Sequence, residues 1–227
     1  MALAMFDLDN TLLAGDSDYL WGLFLSETGA VDGEAYEREN LRFFQQYQAG
    51  ELDIHEFLRF SLRPLKENSP ETLRRWRAEF METRIDPIIT QASLNLVERH
   101  RQAGDTLLII TATNAFVTGP IAERLGIEHL IATNPEMKNG CYTGEVAGIP
   151  SFREGKVERL RVWLEEHEMD LMDSSFYSDS HNDIPLLDIV DKPVAVDPDE
   201  ELTAYAAVRN WPVISLRNSQ HPGSVSA

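Results

Sequence analysis

Asp7 and Asp9 stand two positions apart in Phe6-Asp7-Leu8-Asp9-Asn10-Thr11, directly after the apolar run 3–6. In an extended chain this spacing turns both carboxylates to one side, about 6–7 Å apart, so they can share a reaction centre. Such a pair can divide a displacement, one acid attacking as nucleophile and the other moving protons. Two more Asp-x-Asp pairs occur, Asp16/Asp18 and Asp197/Asp199, and spacing alone does not choose among the three. The first is set apart by Thr11 behind it and by an ordered series further along the chain. That series is Thr111 after the run 107–110, Lys156 at a helix start, and Ser178-Asp179-Ser180-His181-Asn182-Asp183 after the run 175–177.

Other chemistries fit poorly. A calcium loop beginning at Asp7 meets Leu12 where glycine must turn the chain. The six histidines show no close ligand pairing on a common face, which argues against zinc. One cysteine, Cys141, allows neither an internal disulfide nor a thiolate cluster, in keeping with a reducing cytoplasmic setting.

The elements that hold these residues follow from the hydrophobic pattern. Runs 3–6, 107–110, 175–177 and 193–196 are short, apolar and closed by polar residues, the signature of buried parallel strands. Between them, 87–100, 115–125 and 156–167 repeat apolar residues at helical spacing, and glycines close the first two. Alternating strands and helices predict an α/β fold with a doubly wound parallel sheet. The stretch 16–84 breaks the rhythm with helix formers and aromatics and no convincing strand, and predicts an all-helical insert after the first strand. The chain divides on this reading into a core of 1–15 and 85–227 and a cap of 16–84. Leaving and rejoining beside the end of the first strand, the cap belongs over the carboxyl edge of the sheet, where such folds bind ligands. Asn139-Gly140 predicts a small hairpin within 136–146, and 218–227 reads as a loose tail.

Composition narrows the partners. The 227 residues are 43% hydrophobic and 26% charged, a globular make-up, with a formal charge of −18. A field of that sign repels nucleic acid and anionic lipid surfaces, and no run nears the roughly 18–20 apolar residues of a spanning helix. The expected partner is a small molecule; oligomeric state is not legible.

Taken in order, the four segments resemble the four motifs of the haloacid dehalogenase superfamily of phosphotransferases, in its subfamily with a helical cap after the first motif. The core resemblance covers 3–12 and about 89–207. It implies that Asp7 forms an aspartyl-phosphate, while Asp9 protonates the leaving alkoxide and then deprotonates the attacking water. It further implies Mg²⁺ held by Asp7, the Asp9 carbonyl and Asp179, with Asp183 orienting metal-bound water or Lys156. Thr111, Ala112 and Lys156 would bind the phosphoryl oxygens, and Asn182 would make a phosphate or nucleophile-side contact.

The entry to the cap, Leu13-Ala14-Gly15-Asp16-Ser17-Asp18-Tyr19-Leu20-Trp21, resembles that of phosphoserine phosphatases, in which an acid at the position of Asp16 meets the substrate amine. The cap arginine of those enzymes has no secure match; Arg59 and Arg63 are only nearby. The start of the chain is also similar to that of bacterial members associated with histidinol-phosphate hydrolysis. For such a substrate Asp16 and Asp18 would meet the amine, with Trp21, Phe43 or Phe44 stacking on the ring. Three functions remain open: a phosphomonoesterase acting on an amine-bearing metabolite, a phosphomutase of the same architecture, and a receiver-like module using phospho-aspartate as a signal.

Overall fold

The structure, a computed structural model, describes residues 2–217. The expected tail 218–227 lies outside the described residues. Strand β1 (Leu3–Phe6) is buried along its whole length, as the central strand of a two-sided sheet must be. It pairs in parallel with β2 (Thr106–Asn114) and, on its other side, with β6 (Ser175–Ser178). Beyond them lie β3 (His129–Thr133) next to β2, then β7 (Lys192–Val196) and β8 (Val213–Ile214) next to β6. The order β3-β2-β1-β6-β7-β8 is a six-stranded parallel sheet.

Alternation along β1 builds two cores. Ala4 and Phe6 face a layer with Leu96 and Val97 of α6 (Gln91–Ala103) and Val117 and Ile121 of α7 (Ala115–Leu125). Leu3 and Met5 face Leu160 of α8 (Glu154–Glu166), Leu186 of α9 (Ile184–Leu187) and Leu202 of α10 (Glu200–Arg209). Each of these large apolar side chains contributes about 1.5–3 kcal/mol by leaving water. The sheet is therefore wound on both faces, as the pattern predicts.

Between β1 and α6 run five α-helices: α1 (Ser17–Glu27), α2 (Gly33–Gln48), α3 (Ile54–Ser61), α4 (Arg63–Glu67) and α5 (Pro70–Phe80). Side-chain caps start three of them: Asp16 accepts from Tyr19 N, Asp53 from His55 N and Glu56 N, and Ser69 from Thr72 N. The run leaves and rejoins the sheet at one seam, where Leu13 bridges Ile89 and Ala14 N donates to Ile88 O (2.8 Å). The hairpin forms as β4 (Pro135–Lys138) and β5 (Cys141–Val146), with positive φ at Asn139 (51°) and Gly140 (79°) in its turn. No helix among the described residues is long and apolar enough to cross a membrane.

Candidate active site

Register puts the ends of three strands at one edge. Phe6 pairs with Ile109 and with Tyr177, so Asp7, Thr111 and Asp179 emerge together, and Asp7 N donates to Tyr177 O (2.9 Å). Lys156 comes from the first turn of α8 and is 1% exposed. Gly155 lets that turn approach, because a Cβ there would meet the Pro150 carbonyl oxygen at 2.2 Å. Lys156 Nζ donates to Asp7 Oδ1 (2.8 Å) and Asp183 Oδ2 (2.8 Å), and Asp183 Oδ2 also accepts from Ser178 Oγ (2.7 Å).

After Asp7 the backbone turns sharply, with extended angles at Asp9 and a left-handed Asn10 (φ 54°). This turn sends the Asp9 side chain toward the cap, where Oδ1 accepts from Ser17 N (2.6 Å) and Oδ2 from Thr113 Oγ1 (2.7 Å), with Thr111 Oγ1 at 3.5 Å. The register of β2 against β3 shifts between Ile110 and Asn114, bending the strand where Thr111, Ala112 and Thr113 meet the site. Thr11 serves Asp179 twice: its Oγ1 donates to Oδ1 (2.9 Å) and accepts from Asp179 N (3.0 Å).

So much buried negative charge distorts the titrations. Burial pushes Asp7 up to about 7, against the pull of the Lys156 ammonium and with added repulsion from Asp183 and Asp9. Asp9 is raised by burial despite its donors from Ser17 and Thr113, and Asp179 is raised well above the ordinary carboxylate value by burial and then by Asp7. Burial opposes the charge on Lys156, but Asp183 and Asp7 more than offset it and hold its pKa above that of an ordinary lysine. No three His, Cys, Asp or Glu side chains form a metal cage among the described residues. Asp7 and Asp179 instead present two hard carboxylates beside the Asp9 backbone, a donor set suited to an ion that retains water.

Asp7, Asp9, Thr111 and Ala112 also line a pocket of about 50 Å³ beneath α1, α2 and α3. Asp16 and Asp18 line it as well, among Tyr19, Phe43, Phe44, Tyr47 and Phe57. Asp16 is raised well above its ordinary value by burial and by Asp9 and Asp18, and Asp18 is pushed up to about 7 by burial and then by Asp9. No lysine or arginine is among the lining residues. Arg59 lies elsewhere, lining a surface groove with His55 and Gly144, and Arg63 sits 5.9 Å from the Tyr36 ring centroid.

One expectation needs correction. Trp21 does not reach the cavity: it is 2% exposed, stacked on Phe24 (5.6 Å between centroids) and edge-on to Phe80 (5.1 Å). Helical geometry gives Asp18 to the cavity and turns Trp21 into the cap core. Asn182 Oδ1 accepts from Arg153 Nε (2.9 Å) and its Nδ2 donates to Tyr47 O (3.2 Å), which ties it to α2. The sequence reading also missed Ser17, Thr113 and Tyr47. Thr113 was within reach, since period two from Thr111 puts both hydroxyls on one face; Ser17 acts through its backbone and leaves no residue-type signal.

Residues 4–188 match the model of the haloacid dehalogenase-like hydrolases. The chain belongs to that family. It is 44% identical over 219 residues to a histidinol-phosphatase of Neisseria meningitidis, covering 95% of this chain and 99% of the relative. It is 29% identical to the phosphoserine phosphatase SerB1 of Mycobacterium tuberculosis, over 95% of this chain and 71% of that one. A solved structure of a Bordetella pertussis protein of unknown function superposes with a TM-score of 0.90 at 46% identity, covering 95% and 98% of the two chains. A phosphoserine phosphatase solved as a phospho-aspartyl intermediate analogue shares the fold at a TM-score of 0.70 and 19% identity, covering 96% and 94%. The chain is a hydrolase of this family, and its relatives include phosphatases.

Proposed function

We propose that this enzyme is a Mg²⁺-dependent phosphomonoester hydrolase working through an aspartyl-phosphate on a small amine-bearing metabolite phosphate, histidinol phosphate before others. One observation carries the reading: a single pocket is lined by Asp7 and Asp9 together with Asp16, Asp18 and several aromatic rings. The proposed division is a catalytic core of 1–15 and 85–227 and a substrate-choosing cap of 16–84. The lone Cys141, which is exposed, supports a cytoplasmic setting.

In the first displacement an Asp7 oxygen attacks phosphorus, and the electron pair of the breaking ester bond goes to the leaving oxygen, which takes the proton of Asp9. Burial raises the pKa of Asp9 above its ordinary value, the direction that suits an acid catalyst. In the second, Asp9 accepts a proton from water as that water attacks phosphorus; the bond to Asp7 breaks and restores its carboxylate. The Thr111 hydroxyl, the Ala112 N–H and Lys156 would hold the phosphoryl oxygens, and Asp183 keeps Lys156 against Asp7. Asp7, Asp179 and the Asp9 carbonyl would hold Mg²⁺, which supplies positive charge to the phosphoryl group when bound.

The cap residues lining the pocket favour a substrate with cationic nitrogen and a flat ring. Phosphoserine adds a carboxylate, for which the lining offers no cationic side chain. A turnover screen over histidinol phosphate, phosphoserine, sugar phosphates and an aryl phosphate tests the reading. Histidinol phosphate is expected to exceed phosphoserine in kcat/KM by about tenfold or more, the scale set by leaving a buried charge unpaired. The reverse preference refutes the substrate, an absolute need for a bisphosphate activator indicates a mutase, and substantial turnover by Asp7→Asn removes the nucleophile.

A further inference from the structure

The turn that carries Asp9 is also gripped from the far end of the chain. A regular helix would offer the Ala14 N–H to the Asn10 carbonyl, but that group donates to Ile88 O (2.8 Å). The guanidinium of Arg217 takes up this carbonyl: Nη2 donates to Asn10 O, and Nη1 lies 3.4 Å from Thr11 O. Arg217 is itself fixed by its neighbours. Leu216 is 4% exposed, its N donates to Asp197 Oδ2 (2.9 Å), and its carbonyl accepts from Thr90 Oγ1 (2.9 Å). Asp197 Oδ2 also stands 3.9 Å from Arg217 Nη1. Asp197 follows β7 and its N donates to Ile214 O (2.9 Å), so the last sheet strands anchor the arginine.

The far side of the same turn is the Thr11 hydroxyl, which both donates to and accepts from Asp179. A continuous path thus runs from Asp197 through Arg217 to the Asn10 and Thr11 peptides and on to Asp179. Arg217 lies beyond residues 4–188, the span matched by the family model. We propose that Arg217 is a positioning residue for phosphoryl transfer: by gripping the Asn10 and Thr11 carbonyls, its guanidinium sets the turn whose Thr11 hydroxyl orients Asp179. The inference rests on the reading of Asp179 as a cation ligand. A guanidinium suits the task because its planar fork spans two successive carbonyls, whereas an ammonium is a point donor.

The test uses the full chain, Mg²⁺ titrated by calorimetry, and turnover of an aryl phosphate. Arg217→Ala is expected to weaken Mg²⁺ binding and lower kcat by about 10- to 100-fold, the usual cost of losing support behind a metal ligand, while KM changes far less. Arg217→Lys is expected to fall between Arg217→Ala and wild type. Thr11→Val removes the hydroxyl at the other end of the path, and in combination with Arg217→Ala it should cost little more than either change alone. Wild-type Mg²⁺ affinity in Arg217→Ala, or in Arg217→Lys should the alanine variant not fold, overturns the proposal, as do losses that multiply in the double variant. Failure of the underlying reading would look different: the wild-type protein itself would bind no Mg²⁺, and Asp7→Asn would keep its turnover.

Discussion

Asn182 Nδ2 lies 3.2 Å from the Tyr47 carbonyl oxygen, so a side chain next to Asp183 grips the last turn of a cap helix. Arg153 completes the clasp by bonding Gly50 O and Asn182 Oδ1. Gly50 has φ +69°, and a Cβ there would strike His181 Nε2 at 2.7 Å, so glycine is needed for this approach. Asn182→Ala removes hydrogen bonds worth about 1–3 kcal/mol at the cap–core seam. Steady-state kinetics should show KM rising more for histidinol phosphate, the proposed substrate of the cap, than for an aryl phosphate. Equal changes for both would place the clasp outside substrate selection.

Replacing Lys156 tests the charge balance at the nucleophile. Lys156→Met leaves Asp7 and Asp183 buried without their cation, at a cost of about 3–5 kcal/mol. Urea denaturation should register that loss, and turnover should vanish. Adding Asp183→Asn should recover part of the stability without recovering activity.

Asp18 makes a pH-dependent prediction. In the unfolded chain such an acid titrates near 3.9, whereas in the folded protein it is pushed up to about 7. The folded state binds the proton more tightly, so the stability this group contributes is full below about pH 4 and is lost as pH rises through about 7. Asp18→Asn should therefore raise Tm little at pH 4.5 and by about 4 °C or more at pH 8. The same variant should lose preference for the amine substrate, and a Tm gain independent of pH would refute the account.

Trp21 separates packing from recognition. Trp21→Ala should destabilise the protein by about 3–5 kcal/mol through the void left among Phe24, Phe80 and Phe116. The ratio of kcat/KM for histidinol phosphate to that for an aryl phosphate should stay near wild type in the folded fraction. A large change in that ratio would return Trp21 to the substrate site.

Much of the fold is written in local pattern. The run at 3–6 is buried along its whole length and apolar throughout, and buried Phe176 beside Tyr177 marks the centre of the run at 175–177, which makes β1 and β6 legible. The edge strands were not: β3 begins with half-buried His129 and Leu130, and β8 has only Val213 and Ile214, so neither carries a long apolar signal. Motif order places Asp7, Thr111, Lys156 and Asp179 at one sheet edge because strand ends and a helix start are local features. Trp21 was misread for a different reason. Its partner Phe80 is 59 positions away, and only tertiary packing decides which side of the helix it faces.

The pocket above Asp7 offers about 50 Å³, less room than a benzene-sized guest needs. A phosphorylated metabolite needs more room than that, and an outward shift of the helices over the sheet edge would supply it. For a well-matched substrate, that swing and the departure of inorganic phosphate would then set the pace, and thickening the solvent with sucrose should slow good substrates while leaving sluggish ones untouched.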